Sequence, residues 1–417
     1  MQLKRVVITG MGALTPIGNN LAEYRKGLFE GQSGAGNITR FDTTRYKTKF
    51  ACEVKGYYPL AHFDKKSARK TDLFCQYALV VADEALAHSG LLESTVNRQR
   101  VGVIWSTGMG GMISFQEEVL NLAANHMNPR FNPFFITKII GDISSGMISI
   151  KHGFQGVNFN TVSACASSSH AIIDAYNYIR LGKADAIVTG GSEAVVTETG
   201  IGGFSAIKAL SQNNASPATA SRPFDQNRDG FVLGEGAGAL VLEELEHALS
   251  RGATILAEVI GGGVSADAYH ITATHPEGAG ALLGMQDALN EAGITADDVD
   301  YLNPHATSTP LGDESEAKAI ERLFGESFGK VAISATKSMT GHLLGAAGAA
   351  EAIACVLAIQ ENKVPPTINC ETLDPEINPS FPLVRDKALA KTIDIAMSNT
   401  FGFGGHNATL VLRRYQA

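Results

Sequence analysis

With 417 residues, of which 44% are hydrophobic and 18% charged, the chain can bury an extensive core and exceeds the usual size of one domain, so two domains or one duplicated unit is expected. A formal net charge of -8 argues against a nucleic-acid-binding protein, and 44 glycines point to many tight turns and close backbone contacts. The five cysteines (Cys52, Cys75, Cys165, Cys355, Cys370) are odd in number and form no CxxC pair, which favours reduced thiols in a cytoplasmic setting over a disulfide framework or a metal site. No uninterrupted apolar run approaches the ~18 residues of a membrane helix, so a soluble protein is expected.

The first predicted element is a buried strand over Arg5-Val-Val-Ile-Thr-Gly-Met-Gly12. Its glycines resemble a dinucleotide-binding turn, but the third glycine of GxGxxG is missing. Lys65, Lys66, Arg69 and Lys70 form a basic cluster at the start of a predicted helix that carries Phe74, Tyr77, Val81 and Ala85 on one face and ends near Gly90. Another strand covers Arg100–Ser106. Val157–Val162 reads as a short strand, Ala164–Ser169 as a small-residue turn holding Cys165, and the helical pattern runs from His170 to Gly182. With the strand from Ala184 to Gly190, this makes a βαβ unit. Ser211–Arg222 is a polar loop.

Three segments of the first half are echoed in the second. Ala257-Glu-Val-Ile-Gly-Gly-Gly resembles Val6–Gly12. Val331–Ser334, the turn 335–341 and a helix from His342 towards Gln360 resemble the region of Cys165. The turn and strand after Phe401 resemble those after Phe231. The common order points to an internal duplication with halves 1–250 and 251–417, creating a crevice between them.

Cys165 sits where a strand turns into a helix, a place that favours thiolate and lets a carbonyl approach. A packed core cysteine fits the same window equally well. In the second half, His305 lies among hydroxyls in Asn303-Pro-His-Ala-Thr-Ser-Thr-Pro310, with Asp313 three residues on. His342 is expected at a helix start, preceded by Lys337, where the helix dipole disfavours a cation. Glu351, within that helix in Ala-rich surroundings, needs a partner. Phe401-Gly-Phe-Gly-Gly405 is flexible enough to supply a backbone N–H or act as a gate. One cysteine and two histidines at such turns make a nucleophile with two acid–base groups.

The motifs Ala164-Cys-Ala-Ser-Ser, Arg222-Pro-Phe-Asp-Gln-Asn-Arg-Asp-Gly-Phe-Val-Leu-Gly-Glu-Gly-Ala-Gly238, His305-Ala-Thr-Ser-Thr-Pro and Lys337-Ser-Met-Thr-Gly-His-Leu-Leu-Gly-Ala-Ala-Gly348 resemble those of elongating β-ketoacyl-acyl carrier protein synthases, and the likeness spans nearly the whole chain. The resemblance implies the thiolase fold, an α/β architecture of duplicated halves layered α-β-α-β-α. It implies that Cys165 accepts an acyl chain, that the backbone N–H groups of Cys165 and Phe401 form an oxyanion hole, and that His305 and His342 promote decarboxylation of malonyl-acyl carrier protein. Lys337, Glu351 and Asp313 would support the site. Thr307 and Thr309 would touch the phosphopantetheine arm, which arrives on the carrier protein, so no resident cofactor or metal is implied.

By the same resemblance Met109, Phe135 and Phe204 would line the acyl pocket, with Phe135 near the partner of a homodimer. Lys66, Arg69, Lys70 and Lys208 would dock the acidic acyl carrier protein. Ala306, His406 and Ser167 depart from the usual glycine, threonine and threonine. Three other readings remain. A polyketide or aryl-polyene ketosynthase would use the same chemistry. A degradative thiolase would need a second catalytic cysteine. A chain-length-factor-like partner would lack the nucleophile.

Overall fold

The computed structural model describes residues 3–416. All nine residues of β1 (Val6–Leu14) are buried, which explains its lack of alternation: a strand covered on both faces has no polar side to show. Gly10 and Gly12 are dictated by packing. A Cβ at either would lie 2.2 Å from a carbonyl oxygen, that of Ala85 or Val81, in helix α1 (Leu73–Ser89), so the helix backbone rests directly on the strand. The apparent nucleotide-binding turn is thus a helix–strand contact.

The main sheet also contains β2 (Val101–Ser106), β3 (Asn158–Thr161), β4 (Ala186–Glu193), β5 (Gly236–Glu244), β6 (Ala257–Ala266), β7 (Tyr301–Asn303), β8 (Ala332–Ile333), β9 (Ile395–Gly402) and β10 (His406–Arg413). Its strand order is β8-β7-β9-β10-β6-β1-β5-β4-β2-β3. Each half therefore has one order, β3-β2-β4-β5-β1 in the first and β8-β7-β9-β10-β6 in the second. Directions match as well: the pairs β1–β5 and β5–β4 are antiparallel and β4–β2–β3 parallel, as are β6–β10, β10–β9 and β9–β7–β8 respectively. The halves join where Val6–Ile8 pairs antiparallel with Ala257–Val259.

Five layers result. Helices α1 and α2 (Ile143–His152) cover the outer face of the first half, and α5 (Ala279–Ala292) with α6 (Pro310–Phe324) covers that of the second. Between the halves, α3 (Ser167–Arg180) packs against α7 (Ala347–Glu361), while α4 (Glu198–Ala206) follows β4. The Ala- and Gly-rich sequence of α7 suits that central position, and Ala347 to Ile359 are all buried. The stretch Leu344–Glu361 is long and apolar enough to cross a membrane by length and composition, but here it forms this interior layer. In the second half, Gly261 and Gly263 let α5 rest on β6 as α1 rests on β1: their Cβ atoms would lie 2.4 Å and 1.9 Å from the carbonyl oxygens of Ala288 and Gly284.

Three boundaries differ from expectation. The basic cluster forms its own short helix, Lys65–Lys70, because Thr71 and Asp72 are extended and the Asp72 carboxylate begins α1 by accepting from the Phe74 amide. Helix α3 starts at Ser167, directly after the Cys165 turn. Helix α7 starts only at Ala347, so His342 precedes it by five residues and is not at its N-terminus.

Candidate active site

Cys165 lies in the single 3-10 turn Ala164–Ala166 that links β3 to α3, and only 8% of it is exposed. Ala164 adopts φ 51°, a left-handed conformation that makes the bend sharp enough to present the next residue. The second half repeats this elbow at Leu344–Ala346: Leu344 has φ 50°, and α7 follows at once. Gly345 thus occupies the position matching Cys165. Burial pushes the Cys165 thiol up to about 12, opposed by the Lys337 cation and by hydrogen bonds from the Phe403 amide and its own. Desolvation outweighs the helix terminus that the sequence suggested would favour thiolate. The resting group is a thiol, and its nucleophilic form requires a base.

His305 and His342 face one another edge to face, with ring centroids 5.3 Å apart. His305 also packs on the Phe401 ring at 5.7 Å, and His342 on Phe231 at 5.3 Å. Nδ1 of His305 and both ring nitrogens of His342 are buried without a hydrogen-bond partner among the described residues, leaving them available to a substrate. Burial holds both imidazoles well below the ordinary histidine range, assisted by the Lys337 cation. Since His342 lies outside a helix terminus, this burial, and not a dipole, keeps it neutral. Lys337 forms a buried ion pair with Glu351, whose carboxyl burial raises to about 7.

The loop carrying His305 is fixed by two carboxylates on α6. Glu316 accepts from the amides of His305 at 2.8 Å and Ala306 at 2.7 Å, and from Asn399 Nδ2 at 3.2 Å. Asp313 accepts from the amides of Phe224 at 2.9 Å and Ser308 at 3.1 Å, and lies 3.6 Å from Arg228. Burial raises Glu316 to about 7 and Asp313 to about 6. Ala306 takes φ 26° in this loop, a backbone region that a side chain resists and glycine accepts readily.

Two cavities meet at Cys165. The first, of about 360 Å³, contains Cys165, both histidines, Thr307, Thr309, Phe204 and Lys208 along its walls. The hydroxyl oxygens of Thr307 and Thr309 lie 3.1 Å apart. The second, of about 310 Å³, is more apolar and is lined by Met109, Met112, Phe204, Leu344 and Phe403 with Cys165. Phe204 and Phe403 border both.

Not every expected residue falls into place. Phe135 lines neither cavity; it stacks on Phe131 at 5.5 Å and Phe115 at 6.4 Å in a separate, partly exposed cluster. The second amide directed at the Cys165 sulfur belongs to Phe403, not Phe401, because Phe401 is still within β9 opposite Asn407 and only its ring reaches the site. Lys66, Arg69 and Lys70 share the short helix 65–70, and the Lys70 ammonium lies 5.3 Å from the Phe134 ring centroid. Lys208 is instead at the wall of the larger cavity.

Residues 3–248 match the family described as Beta-ketoacyl synthase, N-terminal domain, and residues 256–371 match Beta-ketoacyl synthase, C-terminal domain. The chain belongs to the β-ketoacyl synthase family. It is 48% identical over 417 residues to the 3-oxoacyl-[acyl-carrier-protein] synthase 2 of Staphylococcus aureus (strain COL), covering 100% of both chains. It is 45% identical over 416 residues to the protein of that name from Synechocystis, covering 100% of this chain and 99% of the relative. A β-ketoacyl synthase structure from Burkholderia phymatum superposes with TM-score 0.91 at 34% identity, covering 99% of this chain and 100% of that one. The ishigamide ketosynthase/chain length factor gives TM-score 0.92, also at 34% identity and with the same coverage.

Within this β-ketoacyl synthase, reading the sequence overlooks Glu193 and Glu316, and it finds the 401–405 turn as a source of a backbone N–H without singling out Phe403. The two glutamates carried a usable signal. Glu193 ends an otherwise uncharged strand, and Glu316 shares a helix face with Asp313 and Ile320, so both were placed to be buried.

Proposed function

We propose that the chain catalyses the decarboxylating condensation of fatty acid biosynthesis: an acyl chain held as a thioester on Cys165 is extended by two carbons from malonyl-acyl carrier protein, giving 3-oxoacyl-acyl carrier protein. The observation that carries this is the position of the Cys165 sulfur where an apolar cavity and a hydroxyl- and histidine-lined cavity meet. A thioester carbonyl entering through the hydroxyl- and histidine-lined cavity is attacked by Sγ. A neutral imidazole takes the thiol proton and returns it to the departing pantetheine sulfur, while the apolar cavity receives the chain.

In the second stage the malonyl C–C bond to the carboxylate breaks, and carbon dioxide leaves. The electron pair forms an enolate whose oxygen accepts hydrogen bonds from His305 and His342, each able to donate from one ring nitrogen because each is uncharged. The enolate carbon attacks the Cys165 thioester. The amides of Cys165 and Phe403 stabilise the oxyanion, and its collapse expels the sulfur as thiolate, which takes a proton from solvent to restore the resting thiol. Every group is supplied by the chain or by the two carrier-borne substrates, so the reaction needs no resident cofactor or metal. A degradative thiolase reading lacks its second thiol: Cys355 is buried within α7 and its sulfur donates towards the Met397 carbonyl oxygen at 3.6 Å. A polyketide reading draws on structural neighbours at 30% and 34% identity, below the 48% of the fatty-acid-type relative.

The division of labour follows the duplication, with residues 1–250 providing the nucleophile and 251–417 the histidines. A homodimer is supported by β3, a strand at the sheet edge, and by exposed Phe115, Leu120, Phe131, Ile136 and Val162 in the same half. Phe135, apart from the cavities of its own chain, would then approach the partner. Lys66, Arg69, Lys70 and Lys208 suit an acidic carrier protein, and five free cysteines suit the cytoplasm. Incubation with long-chain acyl-carrier protein should add one acyl mass, mapped to the Cys165 peptide and absent in Cys165→Ala. An adduct on another cysteine sinks the assignment.

A further inference from the structure

Glu193, the last residue of β4, is completely buried, and its carboxylate accepts four hydrogen bonds. Oε1 accepts from Thr107 Oγ1 at 2.9 Å and from the Met109 amide at 3.1 Å. Oε2 accepts from the Gly108 amide at 2.7 Å and from the Gly345 amide at 3.1 Å. Three donors are consecutive residues of the loop leaving β2, and the fourth is the amide of the second elbow, at the position matching Cys165.

The neighbouring residues are shaped around this carboxylate. A Cβ at Gly108 or at Gly345 would lie 2.8 Å from Oε2, and one at Gly345 would lie 2.2 Å from the Gly108 nitrogen. Thr107 Oγ1 itself accepts from the Gly110 amide at 3.1 Å, which leaves its proton directed at Glu193. All four partners are therefore donors, and an ionised carboxylate is the side chain that can accept from all of them. Gly108, Met109 and Leu344, held on either side of this contact, line the apolar cavity.

We propose that Glu193 is a positioning residue that sets the bore of the acyl cavity, by clamping the Gly108–Met109 wall of one half to the elbow of the other. It touches no reacting atom; it acts through Met109 and Leu344. The inference rests on the reading above, in which this cavity holds the acyl chain. An amide at this position would turn its NH2 group towards one pair of donors, either Gly108 and Gly345 or Thr107 and Met109, and that pair would be repelled. The wall would then shift. Chains long enough to pack along it would lose contact, whereas short chains ending near the sulfur would not.

The test compares acylation of Cys165 by butanoyl- and hexadecanoyl-carrier protein, followed by intact mass, in the full-length protein and in Glu193→Gln. The hexadecanoyl-to-butanoyl rate ratio should fall about tenfold, equivalent to roughly two methylenes losing their burial. Thr107→Val removes one donor and keeps the carboxylate; it should shift the ratio in the same direction by less, and it carries the test if Glu193→Gln does not fold. Equal slowing of both chains, or an unchanged ratio in both variants, overturns the role of Glu193. Failure of the unmutated protein to accept either chain overturns the underlying reading of the cavity instead.

Discussion

The rings of His305 and His342 meet edge to face at an interplanar angle of 84°, both within reach of the Lys337 charge and both uncharged. A cation near two imidazoles makes a second and third positive charge costly in a dry site. This keeps two neutral donor–acceptor groups beside a thiol that burial also keeps protonated.

Both imidazoles should resist protonation near neutral pH. An ordinary histidine has a pKa of 6.5, and burial lowers both of these well below it. The unfolded chain would gain two protons near that pH which the folded chain refuses. The contribution of the pair to stability is thus fully present above about pH 6.5 and is lost as the pH falls below it. Glu193, Glu316 and Glu351, raised to about 7, act in the opposite sense: they bind protons first in the folded state as the pH falls. Overall stability sums both effects, so ring resonances are the direct readout. In selectively labelled protein, those of His305 and His342 should not titrate between about pH 8 and pH 6.

Lys337 should be dispensable only together with Glu351. Their side chains are 2% and 4% exposed, so Lys337→Ala leaves a carboxyl buried without its cation. Urea unfolding should show a loss of about 3–5 kcal/mol, and replacing both residues by methionine should recover most of it. A double variant as unstable as the single one contradicts this account of the pair.

The backbone of Ala306, at φ 26°, is costly for any residue with a Cβ. Ala306→Gly should relieve that strain by about 1–2 kcal/mol while enlarging the freedom of the unfolded chain, for a net gain of about 0.5–1 kcal/mol. Thermal unfolding measures it, and a lower midpoint would mean that the methyl group packs to advantage.

Gly203 lies inside the helix Glu198–Ala206 and lines the apolar cavity, yet a Cβ there would meet nothing within 4 Å. Gly203→Leu should therefore stabilise the helix by about 0.5–1 kcal/mol. At the same time it should abolish acylation of Cys165 by the longest chains. Unaltered chain-length preference would show that the leucine points away from the cavity.

Much of the arrangement was legible because it lies in local sequence. The turn around Cys165, the loop of His305 and the segment from Lys337 to His342 announce themselves by small residues and hydroxyls beside apolar strands. The echo of Val6–Gly12 in Ala257–Gly263 reflects the same packing of a helix onto glycines in both halves. What stayed hidden depends on distance in sequence. Glu193 meets Gly345 across 152 residues, and Glu316 reaches back to the His305 amide across 11. The start of α7 is not legible because Gly341–Ala346 is nearly as apolar and small as the helix itself, and composition does not reveal a left-handed Leu344. Phe401 still pairs within β9, whereas Phe403 lies in the bend that follows Gly402, a difference that register alone decides.

The Gly345 elbow carries a consequence for ancestry. A duplicated scaffold starts with two equivalent places for a nucleophile, and this chain retains reactive chemistry at one. At the other, any side chain would collide with Gly108 and with the Glu193 carboxylate. No single substitution can restore symmetry there, since a thiol or hydroxyl introduced at 345 would first have to displace the contact that joins the halves. The descendants of such a protein can reshape the cavities around Cys165 far more readily than they can acquire a second reactive centre at 345.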